Sequence, residues 1–243
     1  MSMYSDAELA AELARRAGEI ALALRAEGKL EGRALGDAGD KAANAYLMPA
    51  IREHRPGDAI LSEESADGPA RLSHSRVWIV DPVDGTREFA EGRDDWAVHV
   101  GLAIDGEASA GAVAVPGLGL VLTSDPPEHV DRPATGRIVV SRSRPPAEAE
   151  RVAHALGMEL VGMGSAGAKA MAVVRGEADA YVHSGGQHQW DNCAPVAVAQ
   201  AHGLHCSRID GSPLRYNGAD SSLPDLLICR PELAGPILKA VAG

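Results

Sequence analysis

Two aspartates close a run of β-forming residues in RVWIVDPVDGTREF, Arg76 to Phe89, with Asp81 and Asp84 set three apart. Carboxylates are seldom drawn into a core without partners, so acids at the end of a hydrophobic strand call for a counter-charge. A hard divalent cation would supply it, because Mg²⁺ takes oxygen ligands and often shares them with phosphate. Pro82 stiffens the link between the aspartates and leaves the Val83 carbonyl as a further oxygen donor. Gly85 lets the backbone approach an anion, and the amides of Gly85 and Thr86 at a helix start would donate to it. More acids stand at strand ends and helix starts, where α/β proteins concentrate their sites. Glu63 and Glu64 follow a short apolar strand, Asp191 precedes an Ala-rich helix in WDNCA, and Asp40 opens the second helix. Each acid alone reads equally well as a cap or a strand end; together they read as a cation site.

The elements that must position these residues follow from periodicity. Leu9, Leu13, Ile20 and Leu24 share one face of a helix over 4–26, capped by Ser5, Asp6 and Glu8. A glycine-rich loop over 28–39 should precede a helix over 40–52. Strands are expected at 59–61, 77–80, 96–104 and 108–115, the last two joined by a turn at Asp105, Gly106 and Glu107, with a further short strand at 118–122. A proline-rich stretch over 125–133 reads as a boundary. Beyond it strands (137–141, 159–162, 178–182, 226–229) alternate with helices (146–156, 166–175, 194–201, 231–241). The expected division is an N-terminal α+β part, residues 1–133, and a C-terminal α/β part, residues 134–243, with the site between them because Asp191 must meet the acids of the first half.

Composition narrows the function. The chain of 243 residues is 45% hydrophobic and 23% charged, which suits a folded globule with a sizeable core. Aromatics are 3%, too few for base-stacking platforms, and a net charge of −11 argues against nucleic-acid polymers and anionic membranes. A small phosphorylated substrate bridged by cations stays compatible. Cys193, Cys206 and Cys229 form no CxxC pair, so neither a disulfide framework nor a cysteine zinc site is expected. The first helix has no signal-peptide h-region, and no apolar run reaches spanning length, which points to a cytoplasmic protein.

DPVDGTREF resembles the DPLDGTxxF motif of the inositol monophosphatase superfamily. Ser62, Glu63 and Glu64 resemble its acidic SEE motif, Asp40 in AGDKAANAYL its early helical aspartate, and WDNCAPVAVAQAHG its second signature. The resemblance implies a layered α-β-α-β-α sandwich and hydrolysis of phosphomonoesters with two or three Mg²⁺, inhibited by lithium, often by a homodimer. It implies metal ligation by Glu63, Asp81, the Val83 carbonyl, Asp84 and Asp191, with Asp191 also facing substrate. Thr86 hydrogen-bonded to Asp40 would orient and deprotonate the attacking water beside Glu63, and the Gly85 and Thr86 amides would hold phosphate. Within the superfamily, WDNCAP, the Ser165 to Lys169 stretch and LRYN at Leu214 are similar to CysQ-type 3′(2′),5′-bisphosphate nucleotidases. That implies removal of the 3′-phosphate of 3′-phosphoadenosine 5′-phosphate, a by-product of sulfate assimilation. Inositol monophosphates and fructose 1,6-bisphosphate are the alternatives, and a non-catalytic phosphometabolite-binding protein is the rival of another class. Lys169, then Arg215, are candidate cations for a second phosphate; Ser165 and His188 are candidate pocket residues.

Two other motifs compete. GMGSAG, Gly162 to Gly167, fits the dinucleotide fingerprint GxGxxG after a strand, but the acid expected about 20 residues on is misplaced at Asp179. His202 and His205 form a weak HxxH beside Cys206, better read as ordinary histidines than as zinc ligands.

Overall fold

The computed structural model describes residues 4–127 and 133–243. Its five layers alternate helix and sheet. Helices α1 (Asp6–Ala26) and α2 (Gly32–His54) cover one face of a sheet ordered β1 (Ala59–Ser62), β2 (Arg76–Asp84), β3 (Ala97–Ile104), β4 (Glu107–Val115), β5 (Leu120–Thr123). Between β2 and β3 lies a short helix, α3 (Thr86–Ala90). The second sheet is built from β6 (Arg137–Ser141), β7 (Glu159–Met163), β8 (Ala180–His188), β9 (His205–Ser207) and β10 (Ser222–Cys229), in the order β7-β6-β8-β10-β9. Helices α5 (Ala166–Val174) and α6 (Gln189–Ala201) fill the layer between the sheets, and α4 (Ala147–Leu156) with α7 (Pro231–Ala242) cover the outer face of the second. This is the expected α-β-α-β-α sandwich. We propose the same division of the chain, 1–133 and 134–243, because each part owns one sheet; the boundary itself borders 128–132, outside the described residues.

Strand β3 shows why the layers sit where they do. Val98, Val100 and Leu102 point into the core shared with α1 and α2, while Ala97 and Ala103 point into the core shared with α5 and α6. That second face is lined with small residues, so the helices come close. A Cβ on Gly101 would lie 2.8 Å from the Ala194 nitrogen, and one on Gly111 3.2 Å from the Ala194 Cα. The α6 backbone therefore rests on β3 and β4, and this brings Asp191 to the end of β2.

Several boundaries differ from expectation. The glycine-rich stretch is helical from Gly32, so Asp40 lies more than two turns inside α2 rather than at its start. Packing overrides propensity here: a Cβ on Gly36 would meet Thr86 Cγ2 at 2.6 Å, and one on Gly39 would meet the Phe89 ring at 2.6 Å. Strand β2 runs on through Asp84 despite Pro82, with a register shift against β3 between Asp81 and Asp84 that absorbs the proline. Strand β8 continues to His188, and α6 begins at Gln189, so Asp191 sits in its first turn rather than before it.

Candidate metal and phosphate site

The acids of the first half converge with that of the second. One carboxylate oxygen from each of Asp81, Asp84 and Asp191 lies within 4.8 Å of the others, and these three are the grouping of metal-type ligands found among the described residues. Glu63, held at the end of β1 by its amide bond to the Val80 carbonyl, lies against the Asp81 carboxylate. Asp81 is 1% exposed and its Oδ1 has no hydrogen-bond partner. Burial first, then the charges of Glu63, Asp84 and Asp191, push its carboxyl well above the ordinary range. Burial likewise raises Glu63. Burial and then the Asp84 charge raise Asp191 to about 7. Acids so crowded need protons or a cation, and oxygen donors alone suit a hard one. The donor set therefore fits Mg²⁺ on its own chemistry.

Asp84 is the exception. Burial works to raise it, but the charge and contact of His99, the Ser165 hydroxyl and the Gly167 amide prevail and hold its carboxyl below its ordinary value. All three meet the same oxygen. The Ser165 hydroxyl donates to Oδ2, the Gly167 amide donates to it at 2.7 Å, and His99 Nε2 lies 3.2 Å from it. Asp84 still brings one carboxylate oxygen to the cluster. Here the dinucleotide-like GMGSAG finds its use. It does form a strand–turn–helix, from β7 into α5, but its amides are taken by the protein's own acids: Gly167 by Asp84, and Gly164 by Asp95 at 2.7 Å. Ser165 adopts φ +48° to enter this turn and also accepts from the Ala168 amide, capping α5.

Thr86 stands beside the cluster. Its hydroxyl lies 3.2 Å from Asp40 Oδ2 and 3.1 Å from the Val83 carbonyl. Burial, with the charges of Glu64 and Glu63, raises Asp40 to about 8, and Asp40 Oδ1 has no partner. Gly85 has φ +86°, and a Cβ there would press on Ser165 at 3.2 Å, so the turn between β2 and α3 requires glycine.

The remaining candidates are placed as follows. His188 ends β8, stacks on Trp190 with ring centroids 4.7 Å apart, and gives its amide to Asp191 Oδ2. Lys169 is 5% exposed; its ammonium donates to the carbonyls of Gly164, at 3.1 Å, and Ser165, at 2.5 Å, and sits over the Tyr181 ring. Burial lowers its pKa to about 8. Arg215 is exposed and paired with Glu107. His202 and His205 bond locally, to the Val198 carbonyl and the Ser207 hydroxyl, and neither belongs to the metal-type grouping found among the described residues. The sequence reading missed His99. Its signal was a lone imidazole among small residues, in a strand whose other face carries Val98, Val100, Leu102 and Ile104.

The sequence profile of the inositol monophosphatase family matches residues 4–239. A protein from Mycobacterium leprae named 3′-phosphoadenosine 5′-phosphate phosphatase is 51% identical, across 98% of this chain and 93% of its own. The 3′(2′),5′-bisphosphate nucleotidase CysQ of Escherichia coli is 30% identical, across 76% of this chain and 81% of its own. The crystal structure of CysQ from Bacteroides thetaiotaomicron, described as a bacterial member of the inositol monophosphatase family, superposes with a TM-score of 0.77. It is 24% identical and covers 94% of this chain and 98% of its own. Among the described residues no helix is long and apolar enough to cross a membrane.

Proposed function

The chain belongs to the inositol monophosphatase family, and on that premise we propose that it is a Mg²⁺-dependent phosphomonoesterase that removes the 3′-phosphate of 3′-phosphoadenosine 5′-phosphate. The observation that carries the substrate is the 51% identity, over nearly the whole chain, to a protein of that name. The observation that supports the chemistry is the buried acidic cluster with its orphaned Asp81 Oδ1.

Glu63, Asp81, the Val83 carbonyl, Asp84 and Asp191 would hold the two or three ions. Bound Mg²⁺ supplies a lowered water pKa and neutralises charge on the phosphate oxygens. The chain does the rest. Thr86 Oγ1 accepts a proton from the attacking water and passes its own to Asp40 Oδ2, which lies 3.2 Å from it. Oxygen attacks phosphorus, the bond to the 3′ oxygen breaks, and the leaving oxygen takes up a proton to give adenosine 5′-phosphate and inorganic phosphate. No covalent intermediate is required. The amides of Gly85 and Thr86 are our candidates for holding the phosphate. Ser165, Lys169 and His188 stand around it, and Lys169 would meet a second phosphate only by giving up one of its two carbonyl partners.

The test is phosphate release with Mg²⁺ from 3′-phosphoadenosine 5′-phosphate, inositol 1-phosphate and fructose 1,6-bisphosphate, compared as kcat/KM. A preference for the nucleotide supports the proposal. A preference for either sugar phosphate overturns the substrate and leaves the metal chemistry standing. No release from any of the three refutes catalysis on this class and favours a phosphometabolite-binding protein.

A further inference from the structure

We propose that His99 is a positioning residue. It locks the Asp84 carboxylate and the start of α6 to β3, so that the Asp84 and Asp191 carboxylates face one cation. The inference rests on the metal reading of the acidic cluster.

His99 is 0% exposed, and each of its ring nitrogens lies beside an oxygen. Nδ1 lies 2.9 Å from the Trp190 carbonyl, which can only accept, so Nδ1 carries a hydrogen. Nε2 lies 3.2 Å from Asp84 Oδ2, off the line of an aligned hydrogen bond. A ring with an oxygen against each nitrogen has no room to turn over. It is also tightly packed: a Cβ on Gly167 would lie 2.1 Å from Nε2.

The two oxygens that His99 joins belong to different parts of the site. Asp84 ends β2 in the first sheet, and Trp190 is the residue before Asp191 in α6. The other donors to Asp84 Oδ2, Ser165 and Gly167, both come from the start of α5. His99 alone among these ties Asp84 to its own sheet and, in the same ring, to the helix that carries Asp191. A buried histidine that merely satisfies one carbonyl would not need the second contact.

Two substitutions separate the contacts. The amide nitrogen of asparagine reaches the place of Nδ1, and that of glutamine the place of Nε2. Each variant therefore keeps one contact and loses the other. Binding of Mn²⁺ to the metal-free protein is followed by electron paramagnetic resonance, with no substrate present. We expect both His99→Asn and His99→Gln to bind about tenfold or more weakly than wild type, the range for groups that orient metal ligands. Binding by either variant within about threefold of wild type would overturn the proposal. Thermal unfolding checks that both fold. Should either not fold, the wild-type protein labelled with ¹⁵N-histidine decides: movement of both His99 ring-nitrogen resonances on adding Mg²⁺ supports the role, and resonances that stay put reject it. If wild type itself binds no Mn²⁺, the metal reading falls and this inference with it, an outcome distinct from a variant that binds like wild type.

Discussion

Asp191→Asn should make the metal-free protein more stable at alkaline pH while removing its activity. Asp191 titrates near 3.8 when unfolded and is raised to about 7 in the fold, by burial and then by the Asp84 charge. Between those values the folded chain binds the extra proton, so the stability that this group contributes is fully present below 3.8 and is lost as pH rises through about 7. Holding the ionised carboxylate above that pH costs up to about 4 kcal/mol, since each pH unit of displacement is worth about 1.4 kcal/mol. Relaxation of the neighbouring acids takes up part of this, and about 2 kcal/mol is a fair expectation, or roughly 4–8 °C in Tm at this chain length. Asparagine keeps the shape and the oxygen that accepts the His188 amide. The assay is thermal unfolding in EDTA at pH 5 and pH 8.5. Wild type should lose stability between the two and the variant should lose less, standing several degrees above wild type at pH 8.5. Adding Mg²⁺ should reverse the order, because a ligand that binds only the folded state stabilises by mass action, about 2.7 kcal/mol at a hundred times Kd. Phosphate release should fall by about a hundredfold or more, the equivalent of losing several kcal/mol of charge stabilisation. A variant no more stable than wild type in EDTA at pH 8.5, or one that Mg²⁺ stabilises as much as wild type, would refute the reasoning.

Lys169→Met leaves the Gly164 and Ser165 carbonyls without their donor. It should cost about 1–3 kcal/mol in urea unfolding and raise KM alike for the nucleotide and inositol 1-phosphate. A rise confined to the bisphosphate would instead make Lys169 a phosphate ligand. Gly39→Ala places a methyl 2.6 Å from the Phe89 ring, an overpacking expected to cost about 1–3 kcal/mol; an unchanged urea midpoint contradicts that contact. His183 is lowered to about 4, first by burial and then by the Lys169 charge, so its share of stability is present above 6.5 and lost as pH falls toward 4. His183→Gln should therefore flatten part of the decline in Tm over that window, and an unaltered slope would show that His183 is not the group responsible.

Much of the site was legible because its chemistry is concentrated in short stretches. DPVDGTREF alone supplies two carboxylates, a carbonyl, a hydroxyl and a left-handed glycine. The alternation of strands and helices after residue 133 was equally legible; α4 and α7 bury one face, while α5 and α6 lie buried between the sheets. What periodicity could not show lies where tertiary packing sets the rule. Gly36 and Gly39 look like loop residues, yet they are helical because Thr86 and Phe89 leave no room for a side chain. Asp40 therefore lies beside Thr86, as the resemblance implied, but at a different place in its helix.

The fate of GMGSAG shows why a motif needs its surroundings. A glycine-rich turn entering a helix offers backbone donors to any anion. In this chain the anion is already present, as the carboxylates of Asp84 and Asp95. The turn that would grip a pyrophosphate elsewhere serves here to hold Asp84 Oδ2. A turn so occupied cannot also bind a dinucleotide without releasing a buried aspartate, so failure of NADH to bind is expected on structural grounds. The same occupancy ties metal ligation to the docking of the two sheets. Asp84 comes from the first sheet and two of the groups against it, Ser165 and Gly167, from the start of α5, so loosening the middle layer should weaken metal binding before it exposes either sheet.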